Sequence, residues 1–537
     1  MAKETASDIR TSTLFFSDAR GCKEWLKGIA IHNVPMAQQA ILDGLRILNR
    51  SASVSPAERL VCLELLRDKV SFLLGEQRAR YVGKTIPLMH GDVAAWNISR
   101  TLLGEMEAGY LRCWDDAKSP DGALAEHAAL VLQRGMRYIG LQMLIAGFAY
   151  KRFDGALWLR LHTHWKEADA RGIAAKKIKD SIGSADGYSS VQQAYTAVLL
   201  GQAANIYELM PREIDFVDAV MRRFGHKVEV MHEGMPAGIG VQAIVDLGAP
   251  KGIQYVGRVD PDENLRLLEL GELGKSLRRR VRKLDEGETV EKLDLPSGWD
   301  AKEARTQLAR LYTLWCEGGT MRPPGTIPAE TSAQLTFGLS EIHFFMSGAI
   351  FEQPDVPREL TRQEMNDIKM FGKVSEATIR ARYADYNYGT ETWGIVDESR
   401  GSYKLLRPSN SSHPLAIGRI LGVKIGKQDT FYMGVVRELV EETDGTIFAT
   451  VAMMPGRPEA VAVRGPDDHQ KAGAYTQGFR LAPMPALKIP ESLVVPTGLA
   501  SQQRHIDIFH PGHGSAKEVR VVDVLERGAD FDRVTIQ

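Results

Sequence analysis

Apolar residues in this chain recur at two different periods. Up to about residue 226 they return every three or four positions, and beyond about residue 390 they come in short alternating runs broken by Gly, Pro, Asn, Asp and Ser. A helix buries a stripe and a strand buries alternate residues, so the two halves require separate cores, one helical and one of sheet. In the first half, Ala37, Ile41, Leu45 and Leu48 share a helix face. Ser55-Pro56-Ala57-Glu58 places an N-cap, a first-turn proline and an early acid ahead of Leu60, Leu63, Leu66, Val70, Phe72 and Leu73. Ser17-Asp18 caps an earlier helix, and further helical spacing runs over 93–115, 123–153, 156–174, 191–210 and 214–224. Trp158, His162 and Trp165 fall on one face, which places the imidazole of His162 or His164 in a core with a hydrogen-bond partner.

The texture changes near residue 226. His226 to Met231 alternates and Gln254 to Arg258 is strand-like, while helices are expected over 265–284, 301–316 and 335–350. The first of these carries a basic run, Arg278 to Lys283, that acidic neighbours mark as a solvated face. Short runs at Trp393–Val396, Ile417–Ile425, Phe431–Val436 and Ile447–Met454 then read as antiparallel strands of a small barrel, and β pieces continue to the C-terminus. The expected fold class is α+β multidomain. An all-helical domain over 1–225 precedes a mixed, mainly helical middle over 226–360, a β-barrel over 361–465 and a further β module over 466–537.

Asp397-Glu398-Ser399-Arg400-Gly401-Ser402, followed later by Gly434-Val435-Val436-Arg437, resembles the (D/N)-x-S-x-x-G signature and following strand of PilZ domains, bacterial barrels that bind cyclic di-GMP. The family's glycine falls on Ser402, and its R-x-x-x-R clamp has as nearest candidates Arg380-x-Arg382 and Lys369-x-x-x-Lys373. On the residues alone, an Asp and a Ser two apart at a strand end suit either a turn whose side chains cap backbone N–H groups or a reader of a guanine edge. The resemblance implies cyclic di-GMP as ligand, held by Asp397 and Ser399 with Arg380, Arg382 and Lys373 as candidate cations. It also implies a bacterial signalling or scaffold role exerted through protein contacts, with the partner meeting the helical region.

With 67 Lys and Arg against 68 Asp and Glu, the net charge of −1 favours no polymeric nucleic acid partner over the whole surface. Cys22, Cys62, Cys113 and Cys316 lack metal or disulfide spacing and are expected to be free thiols, so neither a metal nor a resident cofactor is expected. No apolar run is long enough to span a bilayer and no secretory leader precedes the first helix, so a cytoplasmic protein is expected. Gly83-Lys84-Thr85 and Gly274-Lys275-Ser276 lack the earlier glycine of a phosphate loop, whose position holds Arg78 or Glu269. His510 and His513 stand near Asp507 without the rest of a metal motif. No catalytic constellation is visible. The alternative reading, an enzyme or enzyme-complex subunit with a site between the helical and middle regions, rests on chain size and on polar residues such as His343 in an apolar stretch.

Overall fold

The computed structural model describes residues 15–184, 186–232, 241–257, 262–319, 330–354, 356, 359–375, 377–378, 386, 388–399, 401–465, 474–500, 505–510 and 516–537. The chain forms two compact units, Met1–Met321 and Arg322–Gln537.

The first unit opens with α1 (Ala19–Lys27), α2 (Val34–Arg50), α3 (Pro56–Arg78), α4 (His90–Ala117), α5 (Ala128–Phe148) and α6 (Gly155–Ala170). The caps form where the sequence places them: Asp18 accepts from the Gly21 amide, and Ser55 accepts from Glu58 ahead of a first-turn proline. Apolar on nearly every side, α5 is buried at the centre, with α4, α6, α7 (Val191–Ala203) and α8 (Pro211–Phe224) packed around it. Two short strands, β1 (Ile178–Lys179) and β2 (Tyr188–Ser189), pair between α6 and α7. His162 is a satisfied core residue, its Nδ1 2.8 Å from the Tyr195 hydroxyl and its Nε2 3.0 Å from the Lys251 carbonyl.

The same unit continues past residue 226 into a four-stranded antiparallel sheet, ordered β3 (Glu229–Met231), β6 (Leu265–Glu269), β4 (Gln242–Asp246), β5 (Gln254–Val256). The helix expected over 265–284 is therefore divided: β6 occupies its start and α9 (Gly271–Asp285) the remainder. Tertiary pairing explains the difference, because β6 has β3 on one side and β4 on the other and buries Arg266 and Leu268 in strand alternation. The basic run on α9 is spent locally. Arg280 lies over the Phe224 ring and donates to the Leu293 carbonyl, while Arg282 and Lys283 approach Glu286. The buried Trp315 of α10 (Ala301–Cys316) donates its indole N–H to the Leu200 carbonyl of α7, tying this region to the helices.

The second unit is two six-stranded closed antiparallel barrels in tandem. The first comprises β7 (Ser332–Phe337), β8 (Glu391–Ser399), β9 (Ser402–Leu406), β10 (Ile420–Ile425), β11 (Tyr432–Glu441) and β12 (Ile447–Met453), closed by pairing of β7 with β10. Its first strand thus lies within the stretch expected to be the mixed middle, and the helix expected over 335–350 begins only after Gly338, whose φ of 82° breaks strand from helix. The second comprises β13 (Pro458–Arg464), β14 (Thr476–Leu481), β15 (Ser492–Pro496), β16 (His505–Phe509), β17 (Ala516–Arg527) and β18 (Phe531–Ile536), closed by β13 with β16. Its first strand precedes residue 466, so the C-terminal β module is a complete barrel of its own. Closure removes the exposed edges that open sheets of short strands would leave.

A helix, α11 (Leu339–Ser347), sits at the junction of the barrels and packs on β7, β10, β13 and β14. Its Ile342 joins Ile420, Met433 and Val435 of the first barrel to Phe479, Leu481, Val494 and Phe531 of the second in one apolar cluster. Outside this seam, Arg437 pairs with Glu526 at 2.6 Å and the Ile420 amide donates to Asp530. The remaining helix, α12 (Arg362–Phe371), has a Thr361–Glu364 capping box and ends at Gly372.

Candidate ligand-binding face of the first barrel

Within the motif, Asp397, Glu398 and Ser399 end β8 and Ser402 begins β9, the two strands pairing as a hairpin, while Arg400 lies outside the described residues. Ser399 faces Ser402, Glu398 faces Tyr403 and Asp397 faces Lys404. A bulge between Ile395 and Asp397 shifts the register, which re-aims Asp397 relative to a regular strand. The turn is tight and is made possible by Gly401, with φ of 71°; its carbonyl accepts from the Met453 amide at 2.7 Å. Ser402, at the family's glycine position, is an ordinary strand residue whose hydroxyl lies 2.8 Å from that of Ser399. The conformational freedom that this hairpin needs is supplied one residue earlier, so the departure at 402 leaves the turn intact and engages Ser399 in a hydroxyl pair.

Asp397 and Ser399 are half-buried and brought together on this hairpin. Lys373 is exposed just after α12, and no contact with the hairpin is recorded for it among the described residues. Arg380 and Arg382 lie outside the described residues. The segment leading toward them is folded back by Asp367, which accepts from the Thr378 hydroxyl at 2.6 Å and the Ser375 amide at 3.0 Å. These bonds hold the Asp367 carboxyl below its ordinary range.

Sequence reasoning missed a second polar cluster at the opposite end of the same two strands, eight residues or ~25 Å along β8 at a strand rise of roughly 3.3 Å per residue. Glu391 accepts from His413 Nδ1 at 2.7 Å, from the Ser412 amide at 3.1 Å and from the Trp393 indole at 2.9 Å. Burial opposes its ionisation, but hydrogen bonding from the 411–413 loop and Trp393 prevails and brings the carboxyl down to about 2. The His413 ring stacks on Phe337 with centroids 4.3 Å apart, and Arg407 donates to the Ser411 carbonyl at 2.6 Å. Only the Asn, Ser and Pro cluster before Leu415 hinted at this loop, and nothing in it distinguishes a binding residue from a turn residue.

His343, the residue that pointed toward an enzyme, lies on α11 in the barrel seam, edge-on to Phe351 at 5.4 Å and tilted to Phe479 at 5.9 Å. Among the described residues, no group of three or more His, Cys, Asp and Glu side chains could hold a metal, and no helix is long and apolar enough to cross a membrane. His510 contacts Glu459 at 3.4 Å, while His513 lies outside the described residues. Cys22, Cys62 and Cys113 are buried thiols and Cys316 is half-buried.

A helical unit followed by tandem closed barrels is the architecture on which the comparisons fall. The model "Cyclic-di-GMP receptor FimW, N-terminal domain" matches residues 20–234, and the model "FimW C-terminal beta-barrel domain" matches residues 461–537. With both matched in chain order, over just more than half of the sequence together, the chain belongs to the family these two domains describe, a family of cyclic di-GMP receptors. A curated relative is the cyclic-di-GMP receptor FimW of Pseudomonas aeruginosa (strain PAO1), 21% identical over 534 residues, covering 90% of this chain and 85% of the relative. No solved structure matches. The PilZ-like barrel, β7 to β12, lies between the two matched segments, and the C-terminal model falls on the second barrel.

Proposed function

We propose that this chain is a cyclic di-GMP signalling receptor that takes its ligand at the β8–β9 hairpin end of the first barrel and passes the signal on through a protein partner of the helical unit. The observation that carries this reading is the family membership, combined with a PilZ-like hairpin presenting Asp397 and Ser399 side by side. Asp397 accepts from the guanine edge, Ser399 completes that reading, and a cation among Arg380, Arg382 and Lys373 meets the phosphates. A paired clamp would need two arginines on one face. Arg380 and Arg382, two apart, diverge if that segment is helical, so only one of them serves.

Calorimetric titration with cyclic di-GMP tests this on the full chain. The wild type is expected to bind, more weakly than a receptor with a full clamp, since one missing bidentate contact removes on the order of 1 to 3 kcal/mol, or roughly tenfold to a hundredfold in affinity. Asp397→Ala and Arg380→Ala should each weaken binding further by about tenfold. Unaltered affinity in both would move the ligand away from this hairpin. Absence of binding by the wild type would end the receptor reading.

A further inference from the structure

We propose that the helical unit carries a second site, for a phosphate-type oxyanion, in a cleft between α5, α7 and α8 that is floored by Arg137 and rimmed by Arg222 and His226. The cleft is small, with about 30 Å³ of space open to water-sized molecules, room for roughly two waters or one small oxyanion and not for a whole dinucleotide. It opens beside the β1–β2 turn and is separate from the barrel hairpin in both sequence and unit.

Arg137 is what calls for a ligand. It is half-buried and borders both this cleft and the apolar cavity next to it, yet no hydrogen bond or ion pair is recorded for its guanidinium among the described residues. The nearby carboxylates are already engaged. Asp180 accepts from Arg67 at 2.6 Å, from Gln133 at 2.9 Å and from the Gly183 amide at 3.1 Å, while Asp218 faces Arg222 at 3.5 Å. Both act on Arg137 only from beyond ion-pair distance, where their attraction competes with repulsion from Arg222. A half-buried arginine that lines a cleft with no carboxylate in its lining is suited to bidentate contact with an oxyanion.

The surrounding groups are donors or can become donors. Gln193 spends its backbone amide on Ser190 and leaves its side-chain amide at the cleft, and the Ser189 hydroxyl makes only a long 3.5 Å contact with the Ser190 carbonyl. Arg222 and His226 are exposed at the mouth, so the anion can enter without opening the helices. Gly183 keeps the floor accessible: a Cβ there would come within 3.2 Å of Arg137 Nε and collide with Asp180.

The source of the phosphate is read by the test, which does not depend on where the dinucleotide binds. The full chain is titrated with inorganic phosphate against chloride at matched ionic strength, following thermal stabilisation and heat of binding, with and without saturating cyclic di-GMP. Saturable stabilisation by phosphate is expected in the wild type, weakened at least tenfold in Arg137→Met and severalfold in Arg222→Ala and His226→Ala. The last two lie at the exposed mouth and leave the helix packing intact. Mutual displacement of phosphate and cyclic di-GMP would assign the site to a phosphate of the dinucleotide, and independent binding would assign it to another phosphate. Stabilisation by phosphate no greater than that by chloride, or equal binding in all three variants, overturns the site.

Discussion

Gly528 shows how much one missing methyl can matter at the junction of the barrels. A Cβ at this position would lie 2.2 Å from Phe531 Cε1 and 2.6 Å from the Gly418 carbonyl oxygen, and Phe531 is fully buried in the seam. The Gly528 amide donates to the Phe531 carbonyl and the Ala529 amide to Gly418, so the backbone cannot retreat without losing hydrogen bonds. Gly528→Ala is therefore expected to destabilise the barrel unit by about 1–3 kcal/mol, measurable by denaturant titration. A change below a few tenths of a kcal/mol would mean that the junction is softer than its packing indicates. In the same seam, burial draws the His343 imidazole down to about 4, only partly opposed by the Val461 backbone. In the unfolded chain it titrates near ~6.5. Between these values the unfolded state binds more protons, so stability falls as pH falls from about 6.5 to 4 and the dependence on this residue ends below about 4. The full effect is on the order of 3 kcal/mol, and His343→Leu should remove it. An acid limb of the barrel unit's stability profile that His343→Leu leaves unchanged would contradict this. His164 in the helical unit, also drawn to about 4, adds a term of the same sign there.

Among the elements, α3, α5 and the β1 turn are held by charge as well as by apolar packing. Asp180 takes Arg67 at 2.6 Å and Arg134 at 3.5 Å, while Arg134 also reaches Glu64 at 2.9 Å, and Glu64 accepts from the Tyr110 hydroxyl. Burial resists the charge on Asp180, but Arg134 and Arg67 outweigh it and hold the carboxyl below its usual range. Asp180→Ala leaves two buried guanidinium groups, Arg67 and Arg134, sharing the single carboxylate of Glu64, and is expected to cost about 3–5 kcal/mol, seen as a lower midpoint for the helical unit. Replacing Arg67 and Asp180 together by apolar residues should cost less than Asp180→Ala alone, because no uncompensated charge then remains. If the single and double changes cost the same, the network's charges are not coupled in this way.

At the scale of the whole molecule, each unit has a core of its own, so calorimetry is expected to resolve two transitions. Trp315→Ala should lower one, and Phe479→Ala the other, each by several degrees. A single transition shifted alike by both would show that the units unfold as one.

The sequence by itself determined what local chemistry controls. Helical spacing, Asp18 and Ser55 caps and the Gly401 turn are written in residues close to one another, and the helices and the β8–β9 hairpin form as those residues dictate. The six-residue signature was enough to place Asp397 and Ser399 on one hairpin and to suggest the receptor class. Tertiary structure alone decided the rest. Leu265–Glu269 and Ser332–Phe337 are strands because partners distant in sequence pair with them, against the helical spacing of their own neighbourhoods. Closure of each six-strand barrel likewise joins a first strand to one far along the chain, a pairing that no local pattern encodes. The Glu391–His413 cluster and the Arg137 cleft were invisible for the same reason: each gathers residues separated by more than a turn or a strand, and it is their convergence in space that makes chemistry of side chains that are individually unremarked.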